Sequence, residues 1–369
     1  MKSHPAGIWL KWITLLILLL SLCGASVGFA EDVWVEEAWH HVNQEIDCDG
    51  LRLVIDARIL QLPENATARE YHLERLSYDF VISKGQQIDW LQLGCDTSNG
   101  SWRKPTDAWP EYDFTTKDVI FPTCSIAVYN LLLVHNLNPE YLYETQADLF
   151  LDTVDQIGIE GLTEERFMAY AEAVASACDY QLGNILRIHR VDQPDRLRES
   201  IEAANKKGGS KLDPAKAEEY AFADAYFPIY FNGLRLYSGD YTSAADHMEV
   251  PPMNLRLAVT AGHGIALIDS ALLDPMALQA TSEARPVLSE AEAIQRIAAR
   301  YAGGAQPGVK QATVHQLALE YVPMTGEISA SKGYDLYPAW VARMTWETDT
   351  QETITTYDAY HAVTGEPLF

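Results

Sequence analysis

Residues 289–301, SEAEAIQRIAARY, carry the clearest signal for local structure in the chain. The first four residues form a capping box, because the Ser289 hydroxyl can accept the Glu292 amide while the Glu292 carboxylate reaches back. Apolar residues follow at helical spacing, and Gly303-Gly304 ends the pattern. The stretch therefore predicts an amphipathic helix that buries Ile294, Ile297, Ala298 and Tyr301.

Three strand-forming segments follow this helix, at residues 314–322, 334–346 and 353–362, and a Thr364-Gly365 turn closes the last one. Short connections between successive strands favour an antiparallel meander. We expect the helix to pack on this sheet. The predicted contacts join Ile294, Ile297 and Tyr301 to Leu319, Tyr321, Trp340 and Val341.

The order of this helix and its strands, with LEYVP at 319–323, YPAWV at 337–341 and YDAYHAVTGE at 357–366, resembles a PepSY-like module. The resemblance covers about residues 288–369. This region is also similar to the extracytoplasmic domains of membrane regulators that restrain a Gram-positive cell-wall two-component system. With the segment IDARILQLP at 55–63, the whole chain also resembles an uncharacterised family of exported clostridial proteins. The resemblance implies a helix-plus-meander fold and a binding or regulatory role outside the cytoplasm.

The N-terminal half alternates between helical and extended patterns. Residues 31–44 have apolar residues at helical spacing and acids in the first turn, which predicts a short helix. Residues 51–60 predict a strand that Pro63 ends, and residues 71–83 predict its partner. Residues 90–122 predict a long ordered loop, residues 138–157 a helix, Thr163 the start of another helix, and residues 185–191 a strand.

A basic island at residues 187–211 marks the predicted domain boundary, because the pattern turns regular and β-rich after it. An aromatic strand is predicted at 220–237, with Gly233 in or beside its turn, and a hairpin at 255–268 around Thr260–Gly264. We therefore predict an α+β fold with helices packed on antiparallel sheets. Its parts are an N-terminal α+β region at 31–211 and a β-rich domain at 212–369 that contains the PepSY-like module at about 288–369.

Residues 1–30 have the pattern of a secretory signal, with Lys2 and Lys11 before an apolar run and small residues before Glu31. We predict cleavage after Ala30, which makes the protein secreted or extracytoplasmic. An uncleaved anchor over residues 12–30 is the alternative. A lipid attached at Cys23 is a third option, but Leu22 precedes it where a small residue is expected.

Four cysteines remain after the signal, Cys48, Cys95, Cys124 and Cys178, and this number suits an oxidising compartment. Two disulfides are predicted. Four cysteines allow three connectivities, and local pairing favours 48–95 with 124–178. The alternative is that Cys124 and Cys178, which lie in apolar sequence, are buried free thiols.

The chain carries 52 acidic and 27 basic side chains, a formal charge of −25. This charge excludes nucleic acid as a partner, because binding to polyphosphate needs clustered cations. It also opposes binding to an anionic lipid surface, so a membrane contact is expected only if the N-terminal signal stays uncleaved.

No residues are assigned as catalytic, cofactor-binding or metal-binding, because no specific motif for any of these is found. His263 lies between two glycines and reads as a turn residue. His41 and Glu45 would lie one helical turn apart in the predicted helix, but zinc needs three or four ligands. Asp47-Cys48-Asp49-Gly50 resembles the start of a calcium loop, yet the later ligand positions are apolar.

The favoured function is an exported, non-enzymatic binding or regulatory protein of the cell envelope. One face and an edge strand of its PepSY-like sheet would meet a peptide, a protease or a cell-envelope protein. Two alternatives are a secreted hydrolase with a carboxylate-based site and an acidic envelope structural protein that binds Ca²⁺ diffusely.

Overall fold

The computed structural model describes residues 33–62, 65–74, 76, 78–89, 119–123, 131–136, 152–154, 157–206, 213–239, 242–243, 249–250, 252–262, 264–271, 273–274, 276–302, 309–324, 333–348 and 353–369. The predicted signal lies outside these ranges. Cys95, Cys124 and His263 also lie outside the described residues.

The chain folds as a mixture of helices and strands in which sheet predominates. The α-helices of the described residues are α1 (Tyr78–Gln87), α2 (Glu164–Cys178), α3 (Pro194–Lys206) and α4 (Glu290–Tyr301), and a 3₁₀ helix spans Pro214–Tyr220. The strands in chain order are β1 (Trp39–Cys48), β2 (Leu51–Leu60), β3 (Thr67–Ala68), β4 (Tyr71–Leu73), β5 (Val119–Thr123), β6 (Leu131–Asn136), β7 (Asp152–Val154), β8 (Gln181–Leu182), β9 (Arg187–Val191), β10 (Phe222–Phe231), β11 (Leu234–Leu236), β12 (Thr242–Ser243), β13 (Glu249–Val250), β14 (Asn254–Thr260), β15 (Gly264–Ala271), β16 (Leu278–Ala280), β17 (Arg285–Pro286), β18 (Val309–Met324), β19 (Tyr334–Thr348) and β20 (Thr353–His361).

Sixteen of the described strands join one large mixed sheet. One part of it has the order β1-β2-β18-β19-β20, and the other has the order β9-β10-β14-β15-β6-β5. Strand β10 belongs to both parts, because its first residues pair with β9 and β14 while its last residues pair with β8 and β11. Strand β11 then pairs in parallel with β18 and completes the connection.

Strands from the two sides of residue 211 pair with each other. Strand β2 lies parallel to β18, β6 lies antiparallel to β15, and β9 lies antiparallel to β10. The predicted division into residues 31–211 and 212–369 therefore does not separate two sheets.

The helix predicted for residues 31–44 is absent from the described residues 33–44, so that prediction was wrong, and residues 39–44 belong to strand β1 instead. Strand β1 pairs antiparallel with β2 along its whole length. The two strands are joined by Asp49 (φ 53°) and Gly50 (φ 101°). Two residues with positive φ form the hairpin turn whose twist matches the strands, and Asp-Gly is a favoured sequence for it. The hairpin buries Leu51, Leu53, Ile55, Ala57 and Ile59 on one face of β2.

Three further predictions in the N-terminal half need correction. Residues 71–83 do not form one strand, because β4 ends at Leu73 and α1 begins at Tyr78. The helix predicted over 138–157 does not include residues 152–154, which form β7 and pair with β9. The end of the predicted loop 90–122 lies in β5. Residues 90–118, 138–151 and 155–156 of these two segments lie outside the described residues.

The second predicted helix of this half is confirmed as α2. The Thr163 hydroxyl accepts the Arg166 amide N–H at 3.2 Å and caps the helix. Phe167, Tyr170, Val174 and Cys178 are all buried, as predicted. The predicted strand near 185–191 is β9, the aromatic strand is β10 with a turn at Asn232-Gly233, and the hairpin is β14 with β15.

The C-terminal helix and meander are present as predicted. Ser289 and Glu292 form the capping box of α4, and β18, β19 and β20 follow as an antiparallel meander. Ile294, Ile297 and Tyr301 share a buried core with Leu319, Tyr321 and Trp340. Val341 was placed in this contact wrongly. It lies in a second apolar cluster with Tyr237, Val322, Ala339 and Ala359, because neighbouring residues of a strand face opposite sides.

Candidate functional site

Strand β20 forms one edge of the C-terminal part of the sheet. On one side it pairs with β19 along its whole length. On the other side residues 366–369 turn back and lie against its second half. The Leu368 N–H donates to the Ala359 carbonyl at 2.8 Å, and the Ala359 N–H donates to the Phe369 carbonyl at 3.2 Å. In the sheet order of the described residues, no further strand is paired with residues 353–357 on this side, and we call these residues the open edge. Tyr357 keeps side-chain contacts there, among them an edge-to-face contact of its ring with the Tyr237 ring at 6.2 Å.

The alternation of β20 shows which main-chain groups face outward. The Ala362 N–H donates to the Pro338 carbonyl next to β19 at 2.7 Å, whereas the Ala359 N–H donates outward to residue 369. Main-chain direction alternates along a strand of an antiparallel pair. Even-numbered residues thus bond to β19, and the N–H and C=O groups of Thr353 and Thr355 point away from it.

The open edge has the sequence TITTY, without a charged side chain. Ile354 is 49% exposed, which is unusual for a large apolar residue in this structure. The opposite edge differs, because β1 exposes Glu45 and Asp47. Charged side chains on an edge strand oppose pairing with another chain, and their absence permits it.

A polar part of the sheet face adjoins the open edge. Arg343, Thr345 and Glu347 of β19 are exposed or half-buried on it. The His315 imidazole of β18 lies 2.7 Å from the Thr345 hydroxyl. Partial desolvation of the ring and the nearby Arg343 guanidinium lower the pKa of His315, so its ring is neutral at pH 7. Because Arg343, Thr345 and Glu347 lie opposite Tyr357, Thr355 and Thr353 in the β19–β20 pairing, this polar part of the face meets the open edge at one corner of the sheet, which we call the polar corner.

A buried polar cluster fixes β20 to helix α4. The Tyr301 and Tyr360 hydroxyls both donate to the Asp358 carboxylate, and the Arg300 guanidinium lies 3.8 Å from it. Burial raises the pKa of Asp358, against the opposing effect of the two hydroxyls and Arg300. Burial and the Asp358 charge also raise the pKa of Tyr301. The Trp346 indole N–H donates to the Thr356 hydroxyl at 2.7 Å and holds the first half of the strand.

A cleft of about 590 Å³ lies at the start of α4. This volume is in the range of small-molecule sites. His40 lies on its wall, and the His40 Nε2 atom is 2.8 Å from the Glu290 carboxylate. The other lining residues are Leu60, Gln61, Leu62, Asn65, Ala66, Pro286, Val287, Leu288, Ser289, Glu292 and Trp340.

The carboxyl groups with raised pKa values lie elsewhere. Burial raises the pKa of Asp269, Glu320 and Asp358, and none of the three lines the cleft. Glu320 is partnered by the Ser238 hydroxyl at 2.9 Å, and its carboxylate lies 3.6 Å from Arg235. General acid catalysis needs such a carboxyl group in contact with substrate. In the described ranges the cleft and these carboxyl groups are separate features.

The residues that the sequence analysis considered as possible metal ligands do not form one cluster. The His41 imidazole is 2.9 Å from the Asp56 carboxylate across the β1–β2 hairpin, and Glu45 pairs with Arg52. Asp47 accepts the Gly50 N–H at 3.3 Å in the hairpin turn. Among the described residues no group of three or more His, Cys, Asp or Glu side chains could hold a metal ion.

Cys48 and Cys178 are both buried, and no disulfide joins these two described cysteines. Burial raises the pKa of the Cys178 thiol to about 12 and also raises that of Cys48. Thiols of this kind are unreactive at pH 7. Their proposed partners lie outside the described residues, so disulfide pairing stays a prediction.

Comparison with known proteins gives a likeness in fold. No family model matches the chain, and no curated protein matches it. Among solved structures, the chain is similar to the 1.45 Å crystal structure of an uncharacterised protein from Eubacterium rectale ATCC 33656, with a TM-score of 0.54 and 14% identity. The match covers 90% of this chain and 93% of the other. In the part of the chain that the structure describes, no helix is both long and apolar enough to cross a membrane.

Proposed function

We propose that this chain is an exported, non-enzymatic binding or regulatory protein of the cell envelope that holds an extended peptide against the open edge of β20. The observation that carries the proposal is an edge strand that is paired over only part of its outer side and whose open edge, residues 353–357, has no charged side chain. An extended peptide adds to such an edge through main-chain hydrogen bonds, and alternate side chains give selectivity.

The surroundings of the open edge favour an amphipathic ligand strand. Ile354 and Trp346 lie on the side of the sheet that packs on α4, and the polar corner with Thr345 and Arg343 lies on the other side. The formal charge of −25 favours basic residues in the partner, because opposite charges accelerate association. The resemblance to a PepSY-like module and the predicted signal ending at Ala30 support a location outside the cytoplasm.

Binding of a strand-forming peptide to an edge variant tests the proposal. The probe is a labelled peptide, Lys-Thr-Val-Thr-Val-Thr-Val-Thr-Lys, titrated into the chain that starts at Glu31. Thr355→Pro removes one outward N–H donor and leaves the bonds to β19, since proline is tolerated on the outer side of an edge strand. Thr355→Ala keeps the donor and is the matched control.

We expect at least tenfold weaker binding to Thr355→Pro than to Thr355→Ala, with equal melting temperatures. Chemical-shift changes in the unmodified chain should concentrate on 353–357. Equal affinity of the two variants, or shifts confined to the cleft beside Glu290, would contradict edge binding. Turnover of peptidase, glycosidase or esterase substrates that one Asp, Glu or His substitution abolishes would contradict the non-enzymatic part.

A further inference from the structure

We infer that residues 366–369 are an internal occupant of the same peptide-binding edge, and that an extended ligand long enough to cover all of β20 binds by displacing them. This inference rests on the proposed function. Beyond the proposed function, it specifies the length of the ligand and the positions of its apolar residues. It also states that residues 366–369 compete with the ligand and so limit its affinity.

The segment 366–369 already binds β20 as an added strand would. The His361 N–H donates to the Glu366 carbonyl at 2.8 Å, and Pro367 forms a bridge with Tyr360. The Arg300 guanidinium donates to the Phe369 carbonyl at 2.7 Å. The segment thus satisfies the outward main-chain groups of β20 that continue the row of Thr353 and Thr355.

The attachment of this segment is irregular. Ala359 bonds to both Leu368 and Phe369, so two residues lie opposite one, as in a β-bulge. Pro367 has no N–H to donate. Glu366 and Pro367 are exposed, whereas Leu368 and Phe369 are only partly buried. A regular ligand strand can form more main-chain hydrogen bonds to β20 than residues 366–369 form.

The contacts of the segment indicate what the ligand presents. The Phe369 ring lies 5.9 Å from the Tyr237 ring in an edge-to-face arrangement. Leu368 and Phe369 both pack against the cluster that contains Val322, Val341 and Ala359. A displacing ligand must replace this buried surface, so it is an extended peptide of about nine residues, the length of β20, with adjacent large apolar residues near one end.

Two peptides and one truncated variant test the inference. The long probe is Glu-Pro-Leu-Phe-Thr-Val-Thr-Val-Lys, which repeats residues 366–369 and continues along the open edge. The short probe is Thr-Val-Thr-Val-Lys, which covers only the open edge. The truncated variant ends at Gly365. We expect the long probe to bind this variant at least tenfold more tightly than the full chain, and the short probe to bind both alike.

The outcomes separate the inference from the proposed function. If the long probe binds the full chain and the truncated variant with equal affinity, the displacement is overturned. If Thr355→Pro weakens binding of the short probe, the proposed function still stands. Binding of neither probe to either chain overturns both. If the truncated variant does not fold, Phe369→Ala decides. This variant removes the Tyr237 contact, and we expect it to strengthen binding of the long probe about threefold, whereas an unchanged affinity overturns the inference.

Discussion

Trp340→Ala tests whether the contact between α4 and the meander stabilises the C-terminal part of the fold. Trp340 is 1% exposed, and its indole N–H donates to the Leu288 carbonyl at 3.0 Å. Replacing a buried tryptophan with alanine costs about 3 to 5 kcal/mol. The hydrogen bond to Leu288 is only part-buried, and its loss adds about 1 kcal/mol. We expect the free energy of unfolding to fall by about 4 to 6 kcal/mol.

Trp340→Phe is the matched control, because it keeps an aromatic ring in the core and removes the N–H donor. We expect it to lower the free energy of unfolding by about 1 to 2 kcal/mol. Urea unfolding followed by far-UV circular dichroism measures both variants, with the slope of the transition compared to the parent chain. A loss below about 1.5 kcal/mol for Trp340→Ala, or equal losses for both, would refute the packing argument.

Three other predictions concern the cap, a buried carboxyl group and export. Ser289→Ala removes the cap of α4 and is expected to lower the free energy of unfolding by about 1 kcal/mol in urea, whereas Ser289→Thr should preserve it. The pKa of Asp358 is raised from 3.8 in the folded state, so its contribution to stability is present below about pH 4 and is lost as the pH rises through the folded pKa. Asp358→Asn should therefore flatten the fall in stability from pH 4 to pH 7, and an unchanged pH profile would contradict this. Mass spectrometry of secreted material should find Glu31 at the N-terminus, and Met1 retained in the membrane would favour the anchor.

The sequence predicts the elements of the C-terminal meander well, because their signals are local. The capping box at Ser289 needs only four residues, and the apolar spacing to Tyr301 follows directly. The helix predicted over residues 31–44 was wrong because β1 is an edge strand. The side chains of residues 39–47 are exposed or half-buried on both faces of β1, so the sequence alternation typical of a strand is weak there. The Asp49-Gly50 pair before the apolar alternation of β2 was the signal that could have revealed the hairpin.

The candidate site could not be predicted from local signals, although residues 353–362 were recognised as a strand. A strand becomes an edge only through the pairing of all others, and the pairing of β2 with β18 joins segments more than 250 residues apart. No spacing rule connects such distant segments. The run TITTY is compatible with a central strand as well as with an edge. Its place at an edge follows only from the sheet order, in which β19 is the one described strand that pairs with it.

The sequence predicts that a partner meets both one face and one edge of the C-terminal sheet. In the structure, an exposed face and an open edge adjoin at a single corner of this sheet. Over residues 317–324 of β18 every side chain is buried, because α4 covers one face and the cluster with Tyr237 covers the other. Toward the other end of β18 the burial becomes incomplete and His315 is exposed. A ligand strand on residues 353–357 would direct alternate side chains toward Ile354 and toward Thr345. The apolar and polar side chains of the ligand therefore have to alternate so that the apolar ones face Ile354 and the polar ones face Thr345. A shift of the ligand by one residue would exchange the two sets and weaken binding.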